Sequence, residues 1–441
     1  MRKTAEHIFR AGVKAVMPDQ LIRSQVFLSE GILTICGEAY TLCNFRNIYL
    51  LGAGKASALM AREIENVLGD GITGGVIVTK YGHGCSLKHV ECIEAAHPVP
   101  DANSFAAAES MLAVAERATE NDLVICLLSG GASSLMADLP GDLTPDALQQ
   151  TNALLVNSGA SIAEINTVRK HLSKLKGGRL AQTVFPAYCV GLILSDVVGD
   201  SMEVIASGPT TPDTTSFADA FTVLQRYRLT DMLPEAVVNR IKKGMAGEIG
   251  ETPDVHHPCF ARVKNYSIGN NRKALEASAR AAADLGFAPA IVTDSLQGDY
   301  QAVARFLLGQ IAPTASMERP ACLLFGGEPT VKVTGQGLGG RNQHLALYLA
   351  TLLHEGREHA PQNITILCAG TDGTDGPTDA AGAVVDAYSL QEALKRDDAP
   401  QNYLDNADSY RFFETYGGHI LTGNTQTNVM DIIIILYNYP L

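Results

Sequence analysis

Apolar runs of five to seven residues recur along the first half of the chain. They are Asn47–Leu51, Gly75–Thr79, Val90–Glu94, Asp122–Leu128 and Tyr188–Leu194. Between them lie glycine turns and stretches with helical spacing. Helices are expected from about Lys55 to Leu68, from a cap at Asn103 or Ser104 to about Thr119, from Thr144-Pro145, and from Ser161 to His171. Strands that are apolar throughout and alternate with helices indicate a mostly parallel sheet covered on both faces. Such sheets bind ligands beyond the carboxyl ends of their strands. The loops after residues 51, 128 and 194 are therefore the places to look.

The stretch from about Met232 to Cys259, with Gly244, Gly247, Gly250, Pro253 and Pro258 and weak periodicity, reads as a boundary. The second half then reads as Asn265–Ile268, a helix over Arg272–Leu285, Ala288–Thr293, a helix over Tyr300–Ile311, Ala321–Phe325, Thr330–Thr334, a helix over Arg341–His354, Ile364–Ala369, Gly382–Val385 and Asp431–Leu436. The short spacer Gly326-Gly-Glu-Pro329 predicts a hairpin between Ala321–Phe325 and Thr330–Thr334, so the second sheet should be mixed. The expected fold is α/β with two domains. An N-terminal Rossmann-like sheet spans 1–245, and a C-terminal α/β domain with a mixed sheet spans 260–441.

A chain of 441 residues is too long for one ordinary core, and 46% hydrophobic content is enough for large buried sheets. The formal net charge of −13 argues against nucleic acid, which asks for a basic stripe. Any anion site must be made positive locally. Nine cysteines without a CxxC pair read as free thiols of a reducing compartment. The polar start Met1-Arg-Lys-Thr-Ala-Glu-His shows no signal peptide, and the apolar run Ile432–Leu436 is too short to span a bilayer. The expectation is a cytoplasmic protein without a membrane partner, with homo-oligomerisation left open.

Candidate chemistry gathers at glycine-rich turns. Gly52-Ala-Gly-Lys55 follows the first strand and opens a helix. It is too short for a Walker A loop and is nearer a Rossmann turn, with Ser57 where a third glycine would stand. A dinucleotide site also wants an acid at the end of the next strand, but Thr79-Lys80-Tyr81 stands there. A phosphate site and a structural turn are both open for these residues. Gly335-Gln-Gly337-Leu-Gly-Gly340-Arg341-Asn-Gln343 matches GxGxxG, yet its preceding strand belongs to the expected hairpin. Three donors at a helix start favour an anion there over a plain linker.

Ser129-Gly130-Gly131-Ala-Ser133-Ser134 ends the strongest strand and offers amides and hydroxyls for phosphate or carboxylate; it has no GxSxG elbow. Ser195-Asp196-Val-Val-Gly-Asp200 places carboxylates just past a strand end, suited to Mg²⁺, to a substrate proton, or to an ordinary Asx turn. Thr371-Asp372-Gly-Thr-Asp375 follows another strand and is a further divalent-ion candidate without EF-hand spacing. Glu328, His83, His97 and His419 are additional polar candidates beside glycine or proline turns.

Read in order, these segments resemble the class II glycerate kinase family. The matching segments are GAGKAS at 52–57, HPVPD at 97–101, SGGASSL at 129–135, NTVRKHLSKLKGGRLA at 166–181, SDVVGDS at 195–201, SGPTTPD at 207–213, GGEPTV at 326–331, GRNQ at 340–343, GTDGTDGPTDAAGAVV at 370–385 and GNTQTNV at 423–429. The one departure is the short tail over 437–441.

The resemblance implies a Rossmann-like kinase domain followed by a MOFRL domain, and transfer of the ATP γ-phosphoryl group to D-glycerate with Mg²⁺, giving 2-phosphoglycerate. It implies that Lys55 and Arg341 are catalytic. Asp196 is the candidate base or metal ligand, with Asp200 and Asp372 as further metal candidates. Gly52, Gly54, Ser129, Gly130, Gly131, Ser133, Gly337 and Gly340 are the nucleotide-binding candidates. The reaction is expected in a cleft between the domains, gripped from both sides by Lys55 and Arg341. The competing readings are a hydroxypyruvate reductase using NAD(P)H, ranked lower because the ribose acid is missing, and a non-catalytic sugar-acid-binding protein.

Overall fold

The computed structural model describes residues 1–141, 143–311, 320–356 and 363–437. Most of the short tail noted above, 438–441, lies outside the described residues. The chain divides into two compact units. The first-half unit comprises Leu21–Ser195 and Asp200–Ile268; the second-half unit comprises Met1–Gln20, Asp196–Gly199 and Gly269–Leu441. The boundaries expected from sequence, 1–245 and 260–441, are contiguous, whereas the compact units interleave along the chain.

The first-half unit opens with a three-stranded antiparallel meander, β1 (Val26–Ser29), β2 (Ile32–Ile35) and β3 (Glu38–Thr41). The sequence reading missed it, because four-residue strands alternate too briefly to register. The main sheet follows. It contains β4 (Asn47–Ala53), β5 (Gly74–Lys80), β6 (Glu91–Ala95), β7 (Asp122–Leu128), β8 (Tyr188–Leu194) and β9 (Val263–Gly269), in the order β6-β5-β4-β7-β8-β9. All pairs from β6 to β8 are parallel, as the apolar runs predicted.

Helix starts follow the expected chemistry with one change. Thr144 caps Pro145–Asn157, and Ser161 caps Ile162–His171 in a capping box with Glu164. The helix Ala102–Ala115 is capped by Asp101, not by Asn103 or Ser104; Ser104 instead supplies the reciprocal half of that capping box.

Two expectations near the boundary do not hold. Residues 235–245 form a helix, with Val237, Val238 and Ile241 buried. Gly244, read as a linker glycine, lies under the Phe217 ring, where an added Cβ would come within 2.2 Å of a ring carbon. The run Asn265–Ile268, assigned to the second half, is the core of β9 at the edge of the first sheet.

The second-half sheet contains β10 (Ala288–Asp299), β11 (Ala321–Thr330), β12 (Ile364–Gly370), β13 (Gly382–Asp386), β14 (His419–Ile420) and β15 (Asp431–Tyr437), in the order β10-β11-β15-β12-β13-β14. It is mixed, as expected, but not for the expected reason. No hairpin divides β11, and residues 331–334 carry no strand. The mixed character arises because β15 inserts antiparallel between β11 and β12, while β10 runs parallel to β11. Gly326 and Gly327 looked like a turn but are packing positions. A Cβ at Gly326 would fall 1.5 Å from Asn271 Oδ1, and one at Gly327 would fall 2.1 Å from the Leu296 carbonyl oxygen. Helices Tyr300–Gly309 and Arg341–Glu355 contribute to a core with Phe325, Leu345, Leu349, Ile366, Ile433 and Ile435. Helix Arg2–Ala15 packs against Asn271–Asp284, where Ser278 donates to the Ile8 carbonyl at 3.1 Å.

Candidate active site

In the first-half sheet, the strand order reverses at β4 and β7. Loops leaving their carboxyl ends diverge there, which is where open parallel sheets place ligands. Gly52 is still within β4, paired with β5 and β7, and the loop after it carries Gly54 and Lys55; after β7 come Ser129, Gly130 and Gly131, with Ser133 in the one-turn helix Ala132–Leu135 that follows. The structure joins them. Lys55 N donates to the Gly130 carbonyl at 2.9 Å, and Ala56 N donates to Ser129 Oγ at 3.0 Å. Gly54 has φ +130°, and a Cβ on it would lie 2.2 Å from Ser129 Oγ, so only glycine lets the two loops touch. Ser57, at the third position of the Rossmann-like pattern, donates to the Leu127 carbonyl at 3.0 Å and ties the helix Ser57–Leu68 to β7.

His83 and His97 both reach this turn. His83 Nδ1 lies 3.1 Å from the Lys55 carbonyl, and a Cβ on Gly131 would fall 2.9 Å from His97 Cδ2. Ser133 Oγ lies 2.8 Å from Ser207 Oγ, which donates to Asn166 at 3.1 Å. Sequence reasoning did not single out Ser207 or Asn166, although both sit in matched segments. Ala206 and Ser207 hold positive φ values of 56° and 59°, a cost that the hydrogen bonds of Ser207 offset. Two lysines of the segment 166–181, Lys170 and Lys176, are buried against acids. Lys170 Nζ meets Asp213 at 3.1 Å, and Lys176 Nζ donates to the Met136 carbonyl at 3.0 Å beside Asp138. Lys176 thereby holds the chain just past the SGGASSL segment.

In the second-half unit, Arg341 opens the helix Arg341–Glu355. Its Nε and Nη2 donate to the two carboxylate oxygens of Asp431 at 2.6 and 3.0 Å, and Nη1 donates to Glu328 at 2.6 Å. Asp431 heads β15, in register with Gly327 of β11 and Gly370 of β12. Burial works against the guanidinium charge, but Asp431, then Glu328 and Asp375, hold it above the usual arginine range. The two ion pairs differ in strength. The Asp431 side chain is 1% exposed, and stripping a partner from a buried ion pair costs about 3–5 kcal/mol. Glu328 is 46% exposed, and a surface pair is worth about 0–1 kcal/mol. Asp431 was not a sequence candidate. The available signal was a carboxylate at the head of a run of four isoleucines.

The glycine loop before Arg341 is spoken for by the chain itself. Gly337 N donates to the Asn406 carbonyl at 2.8 Å, Gln336 N to Asn406 Oδ1 at 3.2 Å, and Leu338 N to Asp408 at 2.7 Å. Cβ atoms at Gly337 and Gly340 would fall 2.4 Å from Asp408 and 2.2 Å from Asp375 respectively. The anion expected at the helix start is Asp375. Asn342 N and Gln343 N donate to its two oxygens at 3.0 and 2.8 Å, and both side-chain amides add to them. The donors read as an external anion site therefore satisfy an internal carboxylate.

Burial pushes the Asp375 carboxyl up to about 6, with the Asp431 charge adding to the rise, against the lowering by its amide donors. An unfolded aspartate titrates near about 3.9. The folded protein thus holds this proton more tightly, and that contribution to stability is present at low pH and lost as pH rises through about 6. Asp375→Asn cannot titrate there. The gap in thermal midpoint between parent and variant, measured by circular dichroism, is expected to favour the parent more at pH 4.5 than at pH 7. A gap that does not change with pH would show that the carboxyl stays ionised throughout.

Asp196 belongs to the second-half unit, where Asn428 Nδ2 donates to it at 3.2 Å; Asp200 belongs to the first-half unit. Asp372 accepts from Thr374 N and Oγ1 at 3.2 Å, an Asx turn. Its Oδ1 and that of Asp431 both lie 3.4 Å from the place a Cβ on Gly370 would take. Among the described residues, no group of three or more His, Cys, Asp or Glu side chains is placed to hold a metal ion. His419 packs against Tyr410 at 4.5 Å between ring centroids. All nine cysteines are free thiols, and no described helix is long and apolar enough to cross a membrane.

The sequence model described as "Domain of unknown function (DUF4147)" matches residues 4–242, and that of the MOFRL family matches 321–431. A D-glycerate 2-kinase of Thermotoga maritima is 41% identical over 441 residues, covering 98% of both chains. The chain belongs to the glycerate kinase family. A crystal structure of glycerate kinase from the same organism superimposes on it with a TM-score of 0.85 at 39% identity, covering 99% of each chain. An Agrobacterium vitis protein with a provisional hydroxypyruvate reductase name is 41% identical over 399 residues, covering 88% of this chain and 86% of its own. The chain carries a cation beside a glycine-rich turn in each unit, Lys55 in the first-half unit and Arg341 in the second.

Proposed function

We propose that this protein is a glycerate 2-kinase, transferring the γ-phosphoryl group of ATP to D-glycerate and giving 2-phosphoglycerate and ADP. The observation that carries this reading is end-to-end likeness to the T. maritima D-glycerate 2-kinase at 41% identity. The local chemistry supports it. Phosphoryl transfer needs little covalent help from the protein; it needs positioning and neutralisation of charge on the moving group. Lys55, at a glycine turn on the switch point of a parallel sheet, suits that task. Arg341, held rigid by Asp431, suits it as well. In the reaction a glycerate hydroxyl oxygen bonds to the γ-phosphorus, the bond to the β–γ bridging oxygen breaks, and the hydroxyl proton passes to a base.

Asp196 is the candidate for that base, with its carboxylate oriented by Asn428. The Gly52–Lys55 and Ser129–Ser133 loops are the candidates for holding phosphates. For Gly337 and Gly340 the proposed role is structural, given their close packing against Asp408 and Asp375. The acids fit Mg²⁺ in the usual kinase manner, in which one or two carboxylates share the ion with substrate phosphates and water. Asp196 and Asp372 are the residues proposed to hold it, with Asp200 a weaker candidate. When bound, the ion would neutralise phosphate charge. We place the protein in the cytoplasm, in keeping with its free thiols.

A specific observation favours the reductase as the second reading, namely the name of the A. vitis relative. Against it, β5 ends at Lys80, where a dinucleotide ribose would want an acid. One experiment separates the two. Phosphorus NMR of a mixture with D-glycerate, ATP and Mg²⁺ is expected to show 2-phosphoglycerate and ADP, with turnover lost in EDTA and restored by Mg²⁺. Fast NADH oxidation by hydroxypyruvate without ATP would sink the kinase reading.

A further inference from the structure

Arg341 faces two carboxylates at once, a state in which it is poorly prepared to receive a third anion. We propose that Glu328 is a built-in stand-in for a substrate anion, occupying Arg341 Nη1 until a phosphoryl or carboxylate oxygen replaces it. The inference rests on the reading that Arg341 contacts substrate. The geometry divides the labour between the two acids. Asp431 takes Nε and Nη2 with both oxygens, at 2.6 and 3.0 Å, and is sealed at the head of a central strand with 1% exposure. It has no water to retreat into, so it remains and fixes the plane of the guanidinium. Glu328 contacts Nη1 through one oxygen at 2.6 Å and is 46% exposed, near the end of β11. It can turn into solvent at little cost, because water replaces what it loses.

The exchange also keeps the local charge constant. One guanidinium balanced by Asp431 and Glu328 becomes one guanidinium balanced by Asp431 and a ligand oxygen. Glu328 therefore acts as a threshold. A ligand must bring an anionic oxygen to displace it, which selects against neutral polyols of similar size.

The test is steady-state kinetics of Glu328→Gln in the full-length protein, with ATP and D-glycerate varied separately. Removing the competing charge is expected to lower the KM of the substrate that meets Arg341 by between about two- and fivefold, the range of an exposed ion pair. A change in the ATP KM assigns the displacing anion to a phosphate, and a change in the D-glycerate KM assigns it to the carboxylate. If neither KM falls, or if kcat at saturation drops more than tenfold, Glu328 is not a stand-in. Arg341→Lys, run alongside, separates this from failure of the underlying reading. Full activity in that variant removes Arg341 from substrate contact. A crippled Arg341→Lys beside an unmoved Glu328→Gln overturns the stand-in alone.

Discussion

Lys55→Ala is expected to lower kcat for ATP-dependent phosphorylation of D-glycerate by about 10²–10³-fold, the range for loss of one preorganised electrostatic group. The fold should survive the change. The turn is held by main-chain and serine contacts that alanine keeps: Lys55 N to Gly130, Ala56 N to Ser129, and Ser57 Oγ to Leu127. Thermal unfolding of the variant should therefore track the parent while stopped-time assays of ADP release show the loss. If turnover at saturating substrate is retained, the lysine is a surface charge on a structural turn and the cation at β4 has no part in the chemistry. If activity and thermal midpoint fall together, the residue is a packing element instead.

Arg341→Lys is expected to fail in two ways at once. An ammonium cannot present the fork that meets both Asp431 oxygens, so one buried acceptor loses its donor. An unsatisfied buried group costs about 1–3 kcal/mol, which should be visible in denaturant melts. The same loss of plane misaims the charge at the substrate, and kcat/KM should fall by about 10²-fold or more. The two readouts are separable. A melt shifted without loss of kcat/KM would make Arg341 a structural partner of Asp431 only. Loss of kcat/KM with an unshifted melt would mean that lysine serves Asp431 well enough and that the fork matters for substrate alone. The outcome also bears on Asp375, which keeps the helix start in place through Asn342 and Gln343 rather than leaving it open to a ligand.

Much of this was legible in the chain. Continuous apolar runs flanked by glycine turns predict a parallel sheet because a strand buried on both faces cannot alternate. The turns at Gly52–Lys55 and Ser129–Ser133 stand out for the same reason: a strand end followed by glycines is where backbone comes close to something. The errors share a cause. Gly326, Gly327 and Gly244 looked like punctuation, yet each is a glycine because a side chain or carbonyl from a distant segment lies against it. A glycine needed for close approach and one needed for a turn are identical in sequence. The hairpin, the helix missed over 235–245 and the placement of Asn265–Ile268 all failed on that ambiguity or on pairing between segments far apart in the chain.

The sequence by itself determined the fold class, the family and the two cations, since local periodicity and ordered motifs need no knowledge of distant partners. Tertiary structure alone decided what surrounds the cations. It brought Asp431 from 90 residues away to fix Arg341, set Glu328 on the opposite edge of the same guanidinium, and filled the helix start with Asp375. Those are long-range pairings across a sheet in which β15, the last strand, lies between β11 and β12. Nothing in the residues near Arg341 announces them. The charge state of the site is a property of the assembled sheet, and with it the identity of the anion that each donor serves.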